Sequence, residues 1–312
     1  MPALVDSNSP SFWREGRLNI FNSTGVPLLS SGLDQFRWSA GSTQPAGVDR
    51  RDNFAMWIEA VWQDADDVVY AWYHNEPAGL CPGSSLTAPR IGALISVDGG
   101  KSFIDMGIIL SSGDPIDCSA RNGFFAGGHG DFSVILDRER QYFYFLFGNY
   151  GGDPSGQGVA MARLAFDDRN SPVGAVWKLH QGEWNEPGLG GRVTPIFPAS
   201  VAWQQSNADS LWGPSIHWNY YLESYVVLMN RACCGPRWPQ EGIYISFNPD
   251  LSNPAGWKTP ERILRGRDIW FGPAYYPQVI GLRPDETDTI AGQVARLYVK
   301  GLSMWEIMFS RH

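Results

Sequence analysis

A hairpin that returns at long, nearly even intervals constrains this chain more than any other feature. It first appears as Met56-Trp57-Ile58-Glu59-Ala60-Val61-Trp62, a polar turn at 63–67, and Val68-Val69-Tyr70-Ala71-Trp72-Tyr73. It returns at 132–136 with 142–147, at 215–218 with 225–229, and at 278–281 with 295–300. Tyr70, Tyr142, Tyr225 and Tyr298 then lie 72, 83 and 73 residues apart and are expected at equivalent second-strand positions. β-units repeated in this way argue for radial repetition. A second pair of strands is expected in the first three repeats, at 91–96 with 102–107, at 159–164 with 175–179, and at 242–246 with 257–258. The last repeat ends at 304–309, while 17–21 and 26–29 give the first 50 residues strands of their own. Those strands are expected to build a fifth blade and to close the ring against the C-terminal strands, which removes exposed sheet edges. The expectation is an all-β, five-bladed β-propeller of four-stranded antiparallel blades, a single domain over residues 1–312.

Composition narrows the partners. The net charge of -8 is spread along the chain, which argues against nucleic acid, and no apolar run approaches membrane-spanning length. The 14 Trp, 12 Tyr and 16 Phe are a heavy aromatic load, and 35 Gly with 22 Pro supply turns. Cys81 and Cys118 fall in loops at the two ends of one repeat and can pair, while Cys233 and Cys234 are adjacent. No Cys or His spacing suggests a metal site. The first residues do not have the form of a signal peptide. A removed export signal would favour a secreted or periplasmic protein, and otherwise a cytoplasmic one.

Two resemblances enter on particular residues. Ser96-Val97-Asp98-Gly99-Gly100-Lys101-Ser102-Phe103 resembles the Asp box of sialidases and related propellers, a turn in which the aspartate accepts backbone amides. The stretch 130–137 followed by Tyr142-Phe143-Tyr144 resembles the inner-strand pattern of five-bladed glycoside hydrolases, including the family 43 arabinanases and xylosidases. The stretches 241–246 and 275–279 are similar to further strands of that group. The resemblance implies glycosidase activity on a poly- or oligosaccharide, no required cofactor, and a calcium ion in the central channel held partly by His217.

Propeller geometry then selects residues. The start of each inner strand, the end of the second and the start of the third reach one rim. That rim collects Asp52, His74 and Glu76; His129 and Asp131; Trp212, Ser215, Arg231 and Glu241; and Trp270, Tyr276 and Gln278. Sugars need this mixture of flat rings and polar groups. Glycoside hydrolysis needs two carboxyl groups, so Asp131, Glu76 and Glu241 are the catalytic candidates. Asp52, His74, His129, Trp212, Ser215, Arg231, Trp270, Tyr276 and Gln278 are the substrate-binding candidates. Each has a structural role competing with the functional one: a loop cap for Asp131, a solvated rim position for Glu76 and Glu241, blade packing for the tryptophans. Two other functions stay open. One is a propeller that binds glycan without cleaving it. The other is a polysaccharide lyase using His129 or His74 with Tyr150, and Arg231 against a uronic acid.

Overall fold

The computed structural model describes residues 1–49, 52, 54–65, 67–269 and 274–311. Five sheets form the five blades of a β-propeller. Blade 1 is Ser11–Arg14, Arg17–Ser23, Pro27–Asp34 and Arg37–Trp38. Blade 2 is Ala55–Ala65, Val68–Glu76, Arg90–Ser96 and Ser102–Leu110, with Gly47–Asp49 parallel on its outer edge. Blade 3 is His129–Leu136, Tyr142–Asn149, Gly158–Ala165, Val176–His180 and Glu183–Pro187. Blade 4 is Ser210–Asn219, Ser224–Ala232, Gln240–Asn248 and Glu261–Arg265. Blade 5 is Gln278–Gly281, Val294–Val299 and Leu302–Met308.

Side chains of one strand alternate between two inter-blade cores, as the two-residue period requires. Phe143, Phe145 and Phe147 pack with Trp72 and Phe132 toward blade 2, whereas Tyr144 and Leu146 pack with Ile216 and Val227 toward blade 4. Strands buried on both faces therefore read as continuous apolar runs, which is why the repeats stand out in the sequence. The ring closes between blades 5 and 1, where Leu18 and Ile20 meet Ile280 and Tyr298. Residues 5–10 cross the middle of the ring. Asn8 Nδ2 donates to the carbonyls of Phe132 and Pro214, and Gln278 exchanges two hydrogen bonds with the Ser9 backbone.

Two expectations need correction. Tyr70 and Tyr225 sit just after their turns, opposite Trp62 and Trp218, but Tyr298 pairs with Gln278 at the far end of its strand. The loop 282–293 carries its own short strand, Ile290–Ala291, on blade 4, so no tight turn fixes the register there. The outer strand of blade 4 is Glu261–Arg265 and not 257–258. The turn at Asp98 forms as expected: its carboxylate accepts from the Lys101 and Ser102 amides, and Gly99 and Gly100 have positive φ.

Cys81 and Cys118 are joined, with Cα atoms 5.4 Å apart, and Cys233 is joined to Cys234. The first bridge ties loop 77–89 to loop 111–128. Both loops lie on one rim of the ring and both line the cavity described next.

Candidate active site

β-Bulges build the site. In the inner strand of blade 2, Ile58 pairs with Tyr73 and Ala60 with Trp72, leaving Glu59 unpaired. In that of blade 3, Gly130 pairs with Gly148 and Phe132 with Phe147, leaving Asp131 unpaired at φ +43°. The inner strand of blade 4 is irregular between Trp212 and Ser215. A bulge re-aims a side chain and frees backbone groups from the ladder. Here the freed groups cross between blades. The Asp131 amide donates to His74 Nδ1 at 3.0 Å, and the Phe132 amide donates to Glu59 Oε2 at 2.9 Å. Gly130 is obligatory, because a Cβ there would lie 2.5 Å from His74 Cε1.

These residues line a cavity of about 280 Å³ with Asp6, Trp57, Glu76, Ser85, Thr87, Phe124, Phe125, Trp212, Trp238, Tyr275 and Tyr276. Asp131 is buried, and both its oxygens accept tyrosine hydroxyls: Tyr150 at 2.5 Å and Tyr276 at 2.9 Å. Trp238 and Tyr276, like Asp131, have positive φ, a backbone state that costs non-glycine residues about 1 kcal/mol or more. Such outliers gather where a fold holds a geometry for use. A second cavity of about 290 Å³, between blades 1 and 2, is lined by Arg14, Glu15, Arg17 and Lys101 and offers no carboxyl pair.

Burial pushes the Asp131 carboxyl up; the His74 charge and the two tyrosine hydroxyls pull against it, and the net shift is upward. Burial also pushes Glu59 up, to about 7, against its contact with His74. Burial pulls His74 down, but hydrogen bonds to Glu59 and Glu76 outweigh it and the net shift is upward. Two groups compete for Nδ1. The Asp131 amide needs its lone pair, while Glu59, at 3.3 Å, needs its proton. The shorter contact is to the amide, which cannot give up its donor role. With Nδ1 accepting that amide, the imidazole donates from Nε2 to Glu76 at 3.1 Å. Asp6 is exposed at the cavity mouth. Partial desolvation and the nearby Asp131 push its carboxyl to about 6, with Lys300 opposing.

Of the sequence candidates, Asp131, Glu76, His74, Trp212 and Tyr276 line this cavity. The others do not. Period two predicts one direction for His129 and Asp131, but the bulge at Asp131 separates the two. His129 turns into blade 3, where its Nε2 meets Lys178 Nζ at 2.9 Å, and burial holds its pKa well below the usual range. Glu241 pairs with Arg262 and accepts the Tyr244 hydroxyl. Arg231 is held by Asp209 through two hydrogen bonds, and Asp52 pairs with Arg90. Ser215 is buried in its strand, and Gln278 holds the Ser9 backbone. Trp270 lies outside the described residues. Glu59 and Asp6 were missed. Glu59 left a signal, a carboxylate inside the apolar run 56–62; Asp6 left none, because it precedes every strand.

One nitrogen or oxygen each from Glu59, His74 and Asp131 lies within 4.8 Å of the others, the spacing of a cation site. All three side chains already hold protein hydrogen-bond partners. His217 lies in the inner strand of blade 4, fully buried with both ring nitrogens lacking a protein partner, and burial alone pushes its pKa to about 3. It offers a channel ion one nitrogen. Calcium takes six to eight oxygens, so water and backbone would have to supply them.

No family model and no curated protein matches the chain. Solved structures do. A thermostable family-43 glycoside hydrolase is similar at 12% identity and TM-score 0.56, covering 95% of this chain and 85% of that one. An exo-1,5-α-L-arabinanase from a bovine ruminal metagenomic library has 12% identity, TM-score 0.55 and 99% coverage of both chains. An exo-β-1,3-galactanase from Phanerochaete chrysosporium, in complex with β-1,3-galactotriose, has 12% identity and TM-score 0.54, with 95% of this chain covering 56% of it. The chain thus spans little more than half of that galactanase. At these identities the likeness establishes the shared five-bladed fold.

Proposed function

We propose that the protein is a glycoside hydrolase that cleaves a poly- or oligosaccharide in the Asp131 cavity. The observation that carries the proposal is two carboxyl groups of unlike environment in one aromatic-walled cavity, on a fold shared with family-43 enzymes. Unlike environments divide the roles of acid and base. Asp131 accepts hydrogen bonds at both oxygens, the pattern of an ionised carboxylate, and is assigned as base or nucleophile facing the anomeric carbon. Tyr150 and Tyr276 remain donors because burial and the Asp131 charge push their pKa values well above 10. Glu76 is half-buried, accepts from His74 at Oε1, and is assigned to protonate the leaving oxygen from Oε2. Glu59 and His74 lie behind it as a proton reserve.

A lyase acting on uronic acids is less well supported. Arg231 is committed to Asp209, and His129 is committed to Lys178. The Cys81–Cys118 bridge favours maturation in an oxidising compartment. Asp131→Asn and Glu76→Gln each test the reading. Reducing-end release from the cleaved glycan should fall about 10²–10⁴-fold with the fold retained. Wild-type rates in both variants would reject these assignments.

A further inference from the structure

The cavity is rich in acceptors and poor in donors. It presents four carboxyls, Asp6, Glu59, Glu76 and Asp131, against one imidazole; Asp131 already accepts two tyrosine hydroxyls and Glu59 Oε2 the Phe132 amide, and no Lys or Arg among the described residues lines it. Lys300 acts on Asp6 through space without lining the cavity, and the Arg237 stem passes Gly123 of the lining. The lining hydroxyls of Tyr276, Tyr275 and Thr87 already donate to Asp131, the Trp238 carbonyl and the Pro77 carbonyl. The indole N–H groups of Trp57, Trp212 and Trp238 are shut off from the open space and have no partner. Ser85 is exposed and keeps a hydroxyl to offer. A neutral sugar brings hydroxyls that both donate and accept, so such a lining leaves many of its oxygens unmet. A uronate adds a carboxylate, which only accepts and whose charge is repelled. An ammonium brings three donors, no acceptor and a positive charge, which the carboxyls and aromatic faces both attract.

We propose that the cavity selects a sugar bearing a free, protonated amine. This inference rests on the glycosidase reading for its reaction but not for its binding. The test is calorimetric titration of glucosamine, galactosamine and mannosamine beside their N-acetylated and neutral parent sugars, at pH 7, where Asp6 is ionised, and at a pH above the amine's own pKa. At least one free amine should bind about tenfold or more tightly than both of its counterparts. The preference should vanish once the amine is uncharged. Asp6→Asn, a change at an exposed side chain, should weaken the amine several-fold and leave the N-acetyl sugar unaffected. Equal binding of all three forms, or tighter binding of the acetylated ones, overturns the proposal. The two readings fail separately. Cleavage of neutral glycans with no amine preference leaves the hydrolase and removes the amino-sugar specificity. Amine-selective binding with no cleavage of any oligomer of that sugar leaves the specificity and removes the hydrolase.

Discussion

Asp131 is held between a desolvating pocket, which favours its proton, and two tyrosine hydroxyls, which favour its charge. The sign of their removal follows directly. Tyr276→Phe deletes a donor to the ionised form, so the Asp131 pKa must rise. If ionised Asp131 is required, the acid limb of the kcat/KM profile should move to higher pH by about half to one unit, the equivalent of one modest hydrogen bond. A limb that stays in place, or moves to lower pH, would mean that another group sets it. At this scale the sequence was a partial guide. It offered Asp131, Glu76, His74 and Tyr276 because strand ends on one rim can be counted. It could not tell which rim residues spend their charge locally. The Arg231–Asp209 and Arg262–Glu241 pairs join residues 21 or 22 positions apart, and only the folded register brings them together.

The strands were legible from apolar runs and polar turns, but their bulges were not. A bulge is one extra residue in a pattern whose composition does not change. Gly130 before Asp131 was the one local hint. Gly130→Ala tests whether the bulge sets the site. The added Cβ would press on His74 and Pro89, displacing the imidazole from the Asp131 amide. Activity should fall about 10²-fold, as expected for a displacement near 1 Å, while far-UV circular dichroism is unchanged. Unaltered activity would show that His74 has no positioning role. Glu59 and Asp131 are the bulged residues of adjacent blades, so one structural device supplies both buried carboxyls of the cavity.

Ring closure was anticipated from the strands near each terminus, but its chemistry was not. Asp288 Oδ1 accepts both the amide and the hydroxyl of Ser11, fastening the blade 5 loop to blade 1. The residue as a whole is partly exposed, but this oxygen turns inward onto buried Ser11, and desolvation pushes the carboxyl to about 6. A carboxyl whose pKa is higher folded than unfolded stabilises the fold at low pH. That contribution is lost as pH rises through about 6. Asp288→Asn keeps an acceptor and drops the charge, so its melting temperature should gain on wild type as pH goes from 4 to 7. A constant difference across that range would place the charge in water.

If the protein cleaves glycans as proposed, the ring holds Asp131 and Glu76 around a glycosidic bond. The direct measurement is a crystal structure of Asp131→Asn soaked with an oligosaccharide that the wild-type protein cleaves. A sugar ring should lie against Trp212 and Phe124, its anomeric carbon facing residue 131 and its leaving oxygen within hydrogen-bond reach of Glu76. A glycan bound instead in the cavity lined by Arg14, Arg17 and Lys101, or in the Asp131 cavity with the anomeric carbon turned away from residue 131, would contradict it.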